Sequence, residues 1–514
     1  MRPPIAVASR NFGDVAAATA GADPARIAFI DLGEGDAAPR PWSYGALHGA
    51  AGAVARALRA RGARRGDRVA ILGANSAEYY AVFLGAMRAG LVAVPVNWKL
   101  APATIAHVLR DSGASLVFAD AERRHAGGDL PVLELEGVRA PRAGAEPEPF
   151  ESVAAGRDEL AKILYTSGST GVPKGVPLAH HGQLWAIEHR LAGTPGVERH
   201  RLLVAAPFFH MNALCVTAFT LCGGASVALL PRFTARAYVE AIGRHHCTWL
   251  TAVPTMIAMA ARESEALART DLSSVERVAM GSAPLGQALV DRVKALFPGA
   301  LVGNGYGTTE TGPVAFGPHP RGVPRPDIAL GYPAEGVDVR LVDGDDTDAD
   351  EGVLQLRTPA LMPGYLNLPA KTAQVMTADG YYVTGDVMRR DADGFYHFVG
   401  RADDMFVCGG ENIYPGEVEA MLERHPEIRQ ACVVPVPDEL KGAKPVAFVV
   451  PVAGTAPSPQ SIREWALAHG PAYQHPRHVE LVPELPLAGT GKIDRAALAA
   501  RAVAALAEAA GVVA

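Results

Sequence analysis

Cysteine is scarce in this sequence, and its few copies are badly placed for a disulfide framework or a metal site. The cysteines are Cys215, Cys222, Cys247, Cys408 and Cys432. Their number is odd and no two form a Cys-x-x-Cys pair, which argues against disulfide staples or a zinc knuckle and fits a reducing compartment. The run His245-His246-Cys247 is not expected to bind a metal, because adjacent side chains cannot all converge on one ion.

A block of basic residues is also missing. The formal net charge is -6 over 514 residues, so the charge pattern does not favour a nucleic-acid partner. The acidic stretch from Asp343 to Glu351 does not match a calcium loop. Counted from Asp346, its sixth and twelfth positions hold Glu351 and Arg357 instead of glycine and glutamate. The stretch is predicted to be a solvated hairpin turn.

An uninterrupted apolar segment of the kind that anchors a protein in a membrane is missing as well. The opening residues, MRPPIAVASRNFGD, lack the apolar core of a signal peptide. Residues 202–231 carry no Asp, Glu, Lys or Arg and are long enough to span a bilayer, but Pro207, His210 and the pair Gly223-Gly224 interrupt them. This stretch is predicted to form a strand, a turn, a buried helix and a second strand. We therefore expect a cytoplasmic protein without a membrane span.

The sequence is rich instead in short apolar runs that alternate with helix-like stretches. The run RVAILGANS, at 68–76, is typical of a strand that leads into a helix. The segment YYAVFLGAMRAG, at 79–90, is typical of that helix, and LVAVPVN, at 91–97, of the next strand. Such alternation predicts an α/β fold with a mainly parallel sheet covered by helices. A chain of 514 residues exceeds what one hydrophobic core usually serves, so two or more domains are expected.

The pattern changes after residue 331. The segments at 338–358 and 380–401 are typical of hairpins, because Asp/Gly-rich turns separate their strand-like runs. Near the C-terminus, the strand-like runs QACVVPVPD and PVAFVVPV are flanked by helical stretches. This arrangement predicts a small, separate α+β unit.

One glycine-rich segment, YTSGSTGVPKG at 165–175, has the composition of an anion-binding loop. Its small residues allow successive backbone N–H groups to face one ligand, and such a nest binds anions. Its hydroxyl side chains add donors and Lys174 adds a mobile positive charge, which together suit a triphosphate. The segment is not the common phosphate loop, because no Gly-Lys-Ser/Thr closes it.

A second segment, NGYGTTETG, extends from Asn304 to Gly312. It offers the flat ring of Tyr306 for stacking. The oxygens of Thr309 and Glu310 are ligands of the type that magnesium prefers. Taken alone, the segment is also compatible with a simple glycine-rich turn.

Three more segments carry charged residues beside glycines. In YYVTGDVM, Asp386 follows a glycine at a predicted strand end, where a carboxylate can accept hydrogen bonds from both hydroxyls of a ribose. The segment GRADDMFVCGGENIYPGEVE, at 400–419, combines an arginine, an Asp pair and a Gly-Gly turn. In PLAGTGKIDR, at 486–495, Lys492 lies on a glycine-rich loop before a helix cap, Asp494.

These five segments occur in the order and with the spacing of the adenylate-forming superfamily. That group includes acyl- and aryl-CoA synthetases, peptide-synthetase adenylation domains and firefly luciferase, and the sequence most resembles an acyl-CoA synthetase. The resemblance extends over most of the chain. It also includes the elements PFFHMNAL, GSAPLG and MPGYLNLPAKT, at 207–214, 281–286 and 362–372.

The resemblance implies a two-step reaction with ATP, Mg²⁺ and coenzyme A. A carboxylate attacks the α-phosphate of ATP, pyrophosphate leaves, and acyl-AMP forms. A thiol, usually that of coenzyme A, then attacks the acyl carbon. In the first step a carboxylate must approach a polyanion, so positive charge and N–H donors must neutralise the phosphates.

The resemblance also assigns residues to the nucleotide. The β- and γ-phosphates would be bound by Thr166, Ser167, Gly168, Ser169, Thr170, Gly171 and Lys174. Thr309 and Glu310 would act in catalysis by holding phosphate oxygens and magnesium. Tyr306 would stack on adenine, while Asp386 would bind the ribose and Arg401 would reach the same nucleotide. The adenine site would be completed by Asn304 and by the turn Gly281, Ser282, Ala283 and Pro284.

Two catalytic residues lie far apart in the chain. By resemblance, Lys492 would contact the carboxylate and the α-phosphate and stabilise the transition state. His210 would lie beside the acyl substrate and help to open the thiol path; taken alone, it would be a satisfied core histidine. The acid pocket would be lined near His210, 251–254, 280–283 and 305–308, mostly by small or apolar residues, which mildly disfavours dicarboxylic acids.

The resemblance implies a domain rotation between the two steps. The predicted fold is a large N-terminal domain of parallel-sheet αβα subdomains with a β-barrel-like part, and a small mobile α+β C-terminal domain. The predicted boundaries are 1–399 for the adenylation domain, 400–404 for the hinge and 405–514 for the small domain. Asp403 matches the hinge position, and Gly409-Gly410 would form part of the pantetheine channel in the second pose.

Several functions share these motifs. The leading hypothesis is an acyl-CoA synthetase for a medium-chain fatty or aryl acid. The alternatives are a ligase that loads a carrier protein, although the chain ends about twenty residues after Lys492 without a carrier domain, a luciferase-like monooxygenase, and a non-enzymatic binding protein. Family members are often dimers, so a homodimer is one assembly to test.

Overall fold

The structure of the chain is a computed structural model, which describes residues 10–35, 37–139, 148–166, 172–408, 411–438, 440–488 and 492–509. Two predicted groups lie outside the described residues. They are Ser167, Gly168, Ser169, Thr170 and Gly171 of the glycine-rich loop, and Gly409 and Gly410 of the predicted pantetheine channel.

The helices follow the helix-like stretches of the sequence. In chain order they are α1 (Ala17–Ala22), α2 (Tyr44–Ala60), α3 (Ala77–Arg88), α4 (Pro102–Ser112), α5 (His180–Ala192), α6 (Met211–Cys222), α7 (Ala235–Arg244), α8 (Pro254–Ala260), α9 (Ser264–Arg269), α10 (Gln287–Leu296), α11 (Pro369–Val375), α12 (Pro415–Leu422), α13 (Pro459–His469) and α14 (Arg495–Ala509). Short 3₁₀ helices cover Phe12–Asp14, Arg124–Gly127, Leu135–Gly137 and Val197–Arg199.

The strands occupy the short apolar runs. In the first half of the chain they are β1 (Ile27–Asp31), β2 (Arg40–Ser43), β3 (Arg68–Leu72), β4 (Val92–Pro95), β5 (Ala114–Ala119), β6 (Val132–Glu134), β7 (Leu160–Thr166), β8 (Lys174–Ala179), β9 (Arg201–Val204), β10 (Ser226–Leu229) and β11 (Trp249–Ala252). In the second half they are β12 (Arg277–Gly281), β13 (Leu301–Gly305), β14 (Phe316–Gly317), β15 (Tyr332–Pro333), β16 (Asp338–Val342), β17 (Glu351–Arg357), β18 (Tyr382–Arg390), β19 (Tyr396–Arg401), β20 (Phe406–Cys408), β21 (Glu411–Ile413), β22 (Ile428–Asp438), β23 (Gly442–Pro451) and β24 (His478–Leu481).

Two mainly parallel sheets form the N-terminal part, as the alternating pattern predicts. One has six strands in the order β6-β5-β3-β4-β7-β8, and the other has seven in the order β13-β12-β11-β9-β10-β1-β2. Helix α3 is buried along its whole length, and it packs in one core cluster with Phe29 of β1 and Leu164 of β7. A helix that is apolar on all faces is stable only when it is buried. Helix α3 therefore joins the two sheets.

The charge-free segment at 202–231 folds as the sequence predicts. It contains most of β9, the buried helix α6 and strand β10, and β9 and β10 pair in parallel in the seven-stranded sheet. Among the residues that the structure describes, no helix combines the length and the apolar character that crossing a bilayer requires.

The later part of the chain is mainly antiparallel. The two predicted hairpins are present as β16–β17 and β18–β19, which together form a four-stranded sheet in that order. A two-stranded pair, β14–β15, lies beside it through the contact of Gly331 with Tyr396. This sheet is the part that the resemblance describes as barrel-like.

The C-terminal unit is a separate α+β layer. Strands β22 and β23 pair antiparallel over ten residues or more, β20, β21 and β24 extend the sheet, and helices α12, α13 and α14 cover it. This unit has its own buried core, with Phe448 and Leu498 on one face of the sheet and Ile413 and Val418 on the other. The small α+β unit predicted from the sequence is thus confirmed.

Candidate active site

The glycine-rich segment begins and ends on one hairpin. Strands β7 and β8 are antiparallel, and Thr166 at the end of β7 pairs with Lys174 at the start of β8. The hydroxyl of Thr166 is buried and has no hydrogen-bond partner among the described residues. The hairpin thus brings Thr166 and Lys174 to the same sheet edge, as a loop that binds phosphates requires.

The ammonium of Lys174 lies over an aromatic ring. Its Nζ atom is 4.6 Å from the centre of the Tyr365 ring, within the range of a cation–π contact. Burial lowers the pKa of Lys174, while the nearby carboxylate of Glu310 opposes this shift. Lys174 and Glu310 therefore belong to one electrostatic unit, although 136 positions separate them in the chain (310 minus 174).

Glu310 is buried in the loop that follows β13. Its Oε1 atom accepts a hydrogen bond of 2.9 Å from the Tyr365 hydroxyl, and its backbone carbonyl accepts one of 2.7 Å from Met362. Thr309 beside it is half-buried. A carboxylate has about four acceptor sites, so Glu310 retains capacity for a metal or for a donor on a ligand.

The described residues contain no group of three or more His, Cys, Asp or Glu that could enclose a metal ion. A site with one carboxylate and one hydroxyl still suits magnesium, which keeps several waters and is commonly bound through one or two carboxylates and substrate phosphates. Thr309 and Glu310 therefore fit magnesium that arrives with a nucleotide.

The residues predicted to form the adenine site gather where β12 and β13 end. Gly281 pairs with Gly305 in the parallel register, and a Cβ atom on Gly281 would lie only 2.6 Å from the Gly305 carbonyl oxygen. Ser282 follows with a φ of 65°, in the left-handed region that non-glycine residues rarely adopt. This tight turn continues through Ala283 and Pro284. It begins beside strand β13, which leads to Tyr306.

Tyr306 joins the predicted adenine site to the predicted ribose site. Its hydroxyl donates a hydrogen bond to Asp386, and its ring packs at 5.8 Å against Phe316. Burial and the neighbouring carboxylate of Asp386 raise the pKa of Tyr306. The tyrosine therefore stays neutral, and its ring is held at the edge of the turn.

Asn304 has a structural hydrogen bond in this structure. Its side-chain amide donates at 2.9 Å to the carbonyl of Ile328, and its backbone carbonyl accepts from Arg325, also at 2.9 Å. Because β13 is an edge strand of its sheet, Arg325 satisfies carbonyls that no neighbouring strand can reach. A direct contact between Asn304 and the nucleotide stays a prediction.

Arg401 connects the predicted ribose site with the predicted hinge. Its guanidinium donates to Asp386 at 2.9 Å, and it forms two hydrogen bonds, of 2.9 and 3.2 Å, with Asp403. Burial of Asp403 opposes ionisation, but these bonds from Arg401 lower its pKa. The three residues form one ion-pair chain where β19 leaves the large domain.

Lys492 belongs to the C-terminal unit but lies within electrostatic reach of Asp386 and Arg401. Burial lowers its pKa, the charge of Asp386 opposes the shift, and the charge of Arg401 adds to it. Lys492 is nevertheless an exposed residue, so the effect of burial on its pKa is small. The loop before it is closed by a hydrogen bond of 2.7 Å from the Ala488 N–H to the Lys492 carbonyl.

His210 occupies the N-terminal end of α6. Its ring packs at 4.6 Å against Phe209. Burial lowers the pKa of His210 to about 4, and the positive charges of Lys492 and Lys99 add to the shift. The histidine is therefore neutral at physiological pH. Its predicted contact with the acyl substrate, as opposed to a role as a satisfied core residue, stays a prediction.

Some residues of the site have no role assigned from the sequence. Tyr365 lies in MPGYLNLPAKT, which the resemblance marks only as a family-like element, and Tyr382 is the second residue of YYVTGDVM, the segment that contains Asp386. Arg495 follows the lysine loop and forms a two-bond ion pair with Glu419, at 2.6 and 2.7 Å. The signal for them in the sequence is that each lies inside one of the motifs described above.

Comparisons with known proteins agree with this geometry. A family profile described as AMP-binding enzyme matches residues 16–366, and a profile described as AMP-binding enzyme C-terminal domain matches residues 417–492. The two matches cover the part that carries the predicted phosphate and adenine residues and the part that ends at Lys492.

The similar proteins include ligases that act on aryl and fatty acids. The chain is 36% identical over 456 residues to a feruloyl-CoA synthase from Amycolatopsis sp, covering 88% of this chain and 92% of that protein. It is 33% identical over 477 residues to a fatty acid–[acyl-carrier-protein] ligase from Streptomyces coeruleorubidus, covering 89% and 91%.

A solved structure of an anthranilate CoA ligase in complex with anthranoyl-AMP superposes with a TM-score of 0.86 at 28% identity. The superposition covers 97% of this chain and 98% of that one. The chain therefore belongs to the AMP-binding enzyme family of the adenylate-forming superfamily, among the acyl- and aryl-CoA ligases, and it is an AMP-forming acid–thiol ligase.

Proposed function

We propose that this ligase activates a monocarboxylic acid with ATP and then transfers the acyl group to coenzyme A at the same site. In the first step the carboxylate attacks the α-phosphate, and pyrophosphate leaves. In the second step the thiolate attacks the acyl carbon, and AMP leaves. The observation that carries the proposal is that Lys492 of the C-terminal unit lies within electrostatic reach of Asp386, Arg401 and His210.

The charges of the site suit the first step. The triphosphate and the acid are both anions, so their approach needs fixed positive charge in a site with little water. Lys174 stands at the predicted phosphate end and Lys492 near the ribose carboxylate, Asp386. Lys492 would therefore act on the α-phosphate and the attacking carboxylate, while Lys174 and the glycine-rich loop would bind the departing pyrophosphate.

In this proposal, His210 is an uncharged residue that lines the acid site. A neutral imidazole does not compete with Lys492 for the carboxylate, and it can accept or donate one hydrogen bond. Its position at the N-terminal end of α6, within electrostatic reach of Lys492, supports a role beside the acyl group.

Thr309 and Glu310 would hold magnesium together with the phosphate oxygens. Bound magnesium would neutralise charge on the phosphates as pyrophosphate leaves. Glu310 has free acceptor capacity beside its hydrogen bond from Tyr365, which supports this assignment.

The second step would need the C-terminal unit to rotate about residues 400–404. Asp403 would be the hinge residue, and Gly409 and Gly410 would turn in to line the pantetheine channel. The ion pair between Arg401 and Asp403 supports a hinge here, because it lies between the ribose carboxylate and the first strand of the C-terminal unit, β20. Such a hinge absorbs its backbone change in a few residues.

The acid is proposed to be an aryl or medium-chain fatty monocarboxylic acid. The likeness to a feruloyl-CoA synthase and an anthranilate CoA ligase supports the aryl class, and the likeness to a fatty acid ligase supports the fatty class. The structure adds Lys99, whose charge acts on His210, to the basic side chains near the pocket. The panel of acids that tests the substrate should therefore include a dicarboxylic acid.

The experiment is a panel of acids scored by pyrophosphate release, with and without coenzyme A. The panel contains ferulate, 4-coumarate, anthranilate, octanoate and malonate. We expect an aryl or fatty acid to give acid-dependent pyrophosphate release and an acyl-CoA product. The proposal fails if no acid in the panel triggers ATP cleavage.

Carrier-protein loading is the second candidate, because the chain resembles a ligase that acts on an acyl carrier protein. Replacement of coenzyme A by a holo-carrier protein in the thiolation assay separates the two functions. Faster transfer to the carrier protein would favour loading. A luciferase-like oxygenase would instead emit light with luciferin, ATP and oxygen.

A further inference from the structure

The geometry points to Tyr365 as a positioning residue that holds Lys174 and Glu310 at a fixed relation for the phosphates of ATP. This inference rests on the proposed function for the roles of Lys174 and Glu310, and it adds a residue that no motif assigns. Tyr365 is 6% exposed, so little of its side chain faces solvent.

The two ends of the Tyr365 side chain have different partners. The ring lies under the ammonium of Lys174, with Nζ 4.6 Å from the ring centre. The hydroxyl donates to the Glu310 carboxylate at 2.9 Å. One rigid side chain thus touches both the positive group that faces the phosphates and the negative group that faces magnesium.

The backbone around Tyr365 makes the same connection. The N–H of Met362 donates to the Glu310 carbonyl at 2.7 Å, and the N–H of Leu366 donates to the Gly175 carbonyl at 2.8 Å. The segment 362–366 therefore spans from the Glu310 loop to strand β8, which begins at Lys174. Because the backbone already fixes both ends, the Tyr365 side chain can set the distance between the two charged groups.

The hydroxyl has a second neighbour on the ribose strand. The Tyr382 hydroxyl lies 3.3 Å from that of Tyr365, and Tyr382 begins β18, which carries Asp386. When Tyr382 donates to Tyr365, the Tyr365 proton is directed toward Glu310. This arrangement orients one lone pair of the carboxylate and leaves the remaining sites of Glu310 for the ligand side.

An unsupported Glu310 would have two alternatives that harm ATP binding. It could turn toward the ammonium of Lys174, which would neutralise the charge meant for the phosphates, or it could rotate away from the metal. Preorganised groups avoid this reorganisation when the ligand binds. The Tyr365 hydroxyl prevents both movements, because it holds Oε1 by a hydrogen bond to a charged acceptor.

The test compares Tyr365→Phe with Tyr365→Leu in binding of ATP itself, measured by calorimetry with and without Mg²⁺ and without any acid. Tyr365→Phe keeps the ring under Lys174 and removes only the hydroxyl. We expect it to weaken Mg²⁺-ATP binding about 10-fold, the size expected for one hydrogen bond to a charged group, and to leave metal-free ATP binding nearly unchanged. Tyr365→Leu should weaken binding of both forms.

A double-mutant cycle and a control separate positioning from simple loss of structure. In a Glu310→Gln background, Tyr365→Phe should cause little further loss, because its partner charge is already gone. The control is Tyr44→Phe, which removes another buried hydroxyl that bonds the Leu221 and Ala225 carbonyls and should leave ATP binding unchanged.

The outcomes distinguish this inference from the proposed function. Wild-type protein that fails to bind Mg²⁺-ATP would contradict the proposed function and the inference with it. If the wild-type protein binds Mg²⁺-ATP, either of two results would overturn the inference alone. Tyr365→Phe would bind ATP as tightly as wild type, or it would lose the same affinity for ATP with and without Mg²⁺. A Mg²⁺-specific loss that disappears in the Glu310→Gln background would establish it.

Discussion

At the scale of single residues, Asp386 is the carboxylate at the centre of the proposed nucleotide site. It accepts a hydrogen bond from Tyr306, pairs with Arg401 at 2.9 Å and acts electrostatically on Lys492. These partners come from three different segments of the chain. A substitution at Asp386 should therefore weaken nucleotide binding more than it lowers the stability of the fold.

Asp386→Asn should raise the KM for ATP about 10- to 100-fold, because an amide binds the ribose hydroxyls and Arg401 more weakly than a carboxylate does. The KM for the acid should change much less. Steady-state pyrophosphate release at varied ATP measures the effect. Asp391→Asn is the matched control, since Asp391 is a turn residue whose carboxylate pairs with His397; equal effects of the two changes would contradict the assignment.

The roles of some single residues could be predicted from the sequence, and those of others could not. The roles of Lys492 and Asp386 were predicted because each lies in a short motif with a recognisable pattern. Tyr365 was not assigned, because its importance comes from contacts with Lys174 and Glu310, which are distant in the chain. Lys162 is a second example: a lysine in a strand is expected at the surface, but this one is fully buried against the Phe12 ring at 4.8 Å.

At the scale of secondary-structure elements, the predicted adenine site lies where β12 and β13 end together. The parallel register pairs Gly281 with Gly305, and the Gly305 carbonyl leaves no room for a Cβ atom on Gly281. The strand positions could be predicted from apolar runs. The approach of their ends could not, because it is a property of the pairing and not of either strand.

Gly281→Ala should separate the ends of β12 and β13, because the new methyl group would lie 2.6 Å from the Gly305 carbonyl oxygen. We expect an increase of about 10-fold or more in the KM for ATP, since small displacements of binding groups are costly. Gly303→Ala in the same sheet is the control, because its nearest neighbour, an Arg325 nitrogen, is 3.6 Å away. An unchanged KM in Gly281→Ala would refute the role of this turn.

The C-terminal helix α14 anchors the lysine loop through one ion pair. Arg495, its first residue, forms two hydrogen bonds with the Glu419 carboxylate of α12 and a third, of 3.0 Å, with the Val433 carbonyl. Lys492 is only three residues away, so the anchor fixes the loop relative to the sheet of the C-terminal unit.

Arg495→Lys should destabilise the C-terminal unit by about 2 kcal/mol, because it loses a two-bond pair with a mostly buried carboxylate. Adenylation should slow as well, since Lys492 is less well placed. Chemical denaturation and pyrophosphate release measure the two effects. Arg501→Lys is the control: its pair with Glu480 is more than half exposed on the arginine side, and a change there is expected to cost less than about 1 kcal/mol. Similar losses in both variants would contradict the anchoring role.

At the scale of the whole molecule, buried histidines make the fold sensitive to acid. Burial lowers the pKa of His48, His180 and His210 to about 4 in each case. The Nδ1 atom of His180 also accepts a hydrogen bond of 2.9 Å from the Phe12 N–H, which requires the neutral ring. Protonation must therefore break this contact.

The sign of the pH dependence follows from these shifts. In the unfolded chain a histidine gains its proton near pH 6.5, while in the folded protein it does so near pH 4. Stability is therefore lost as the pH falls from 6.5 toward 4, because the unfolded state binds more protons. For His180 the loss between pH 7 and pH 5 should be about 1–2 kcal/mol.

Denaturation at pH 7 and pH 5 checks this prediction. His180→Gln should reduce the pH dependence of the free energy of unfolding by about the amount attributed to this histidine. A change at His125, which is exposed, serves as the surface control. A pH dependence that is identical in wild type and His180→Gln would contradict the account.

The overall architecture was largely predictable, because the alternation of strands and helices is visible in the local spacing of apolar residues. The charge-free stretch at 202–231, the two hairpins and the C-terminal α+β unit all follow from such patterns. Only the resemblance to the adenylate-forming superfamily predicted that Lys492 of the C-terminal unit would reach the nucleotide. No local pattern contains this placement, because it depends on contacts between domains. In the structure, Lys492 lies within electrostatic reach of Asp386 and His210.

The most direct test of the account is to measure the two half-reactions separately in Lys492→Ala. Loss of one transition-state contact should slow acid-dependent pyrophosphate release about 10²- to 10³-fold, while transfer from supplied acyl-AMP to coenzyme A should stay close to wild type. That split is expected if Lys492 serves only the first step and the C-terminal unit moves before the second. Equal loss of both half-reactions, or no loss in the first, would contradict the account.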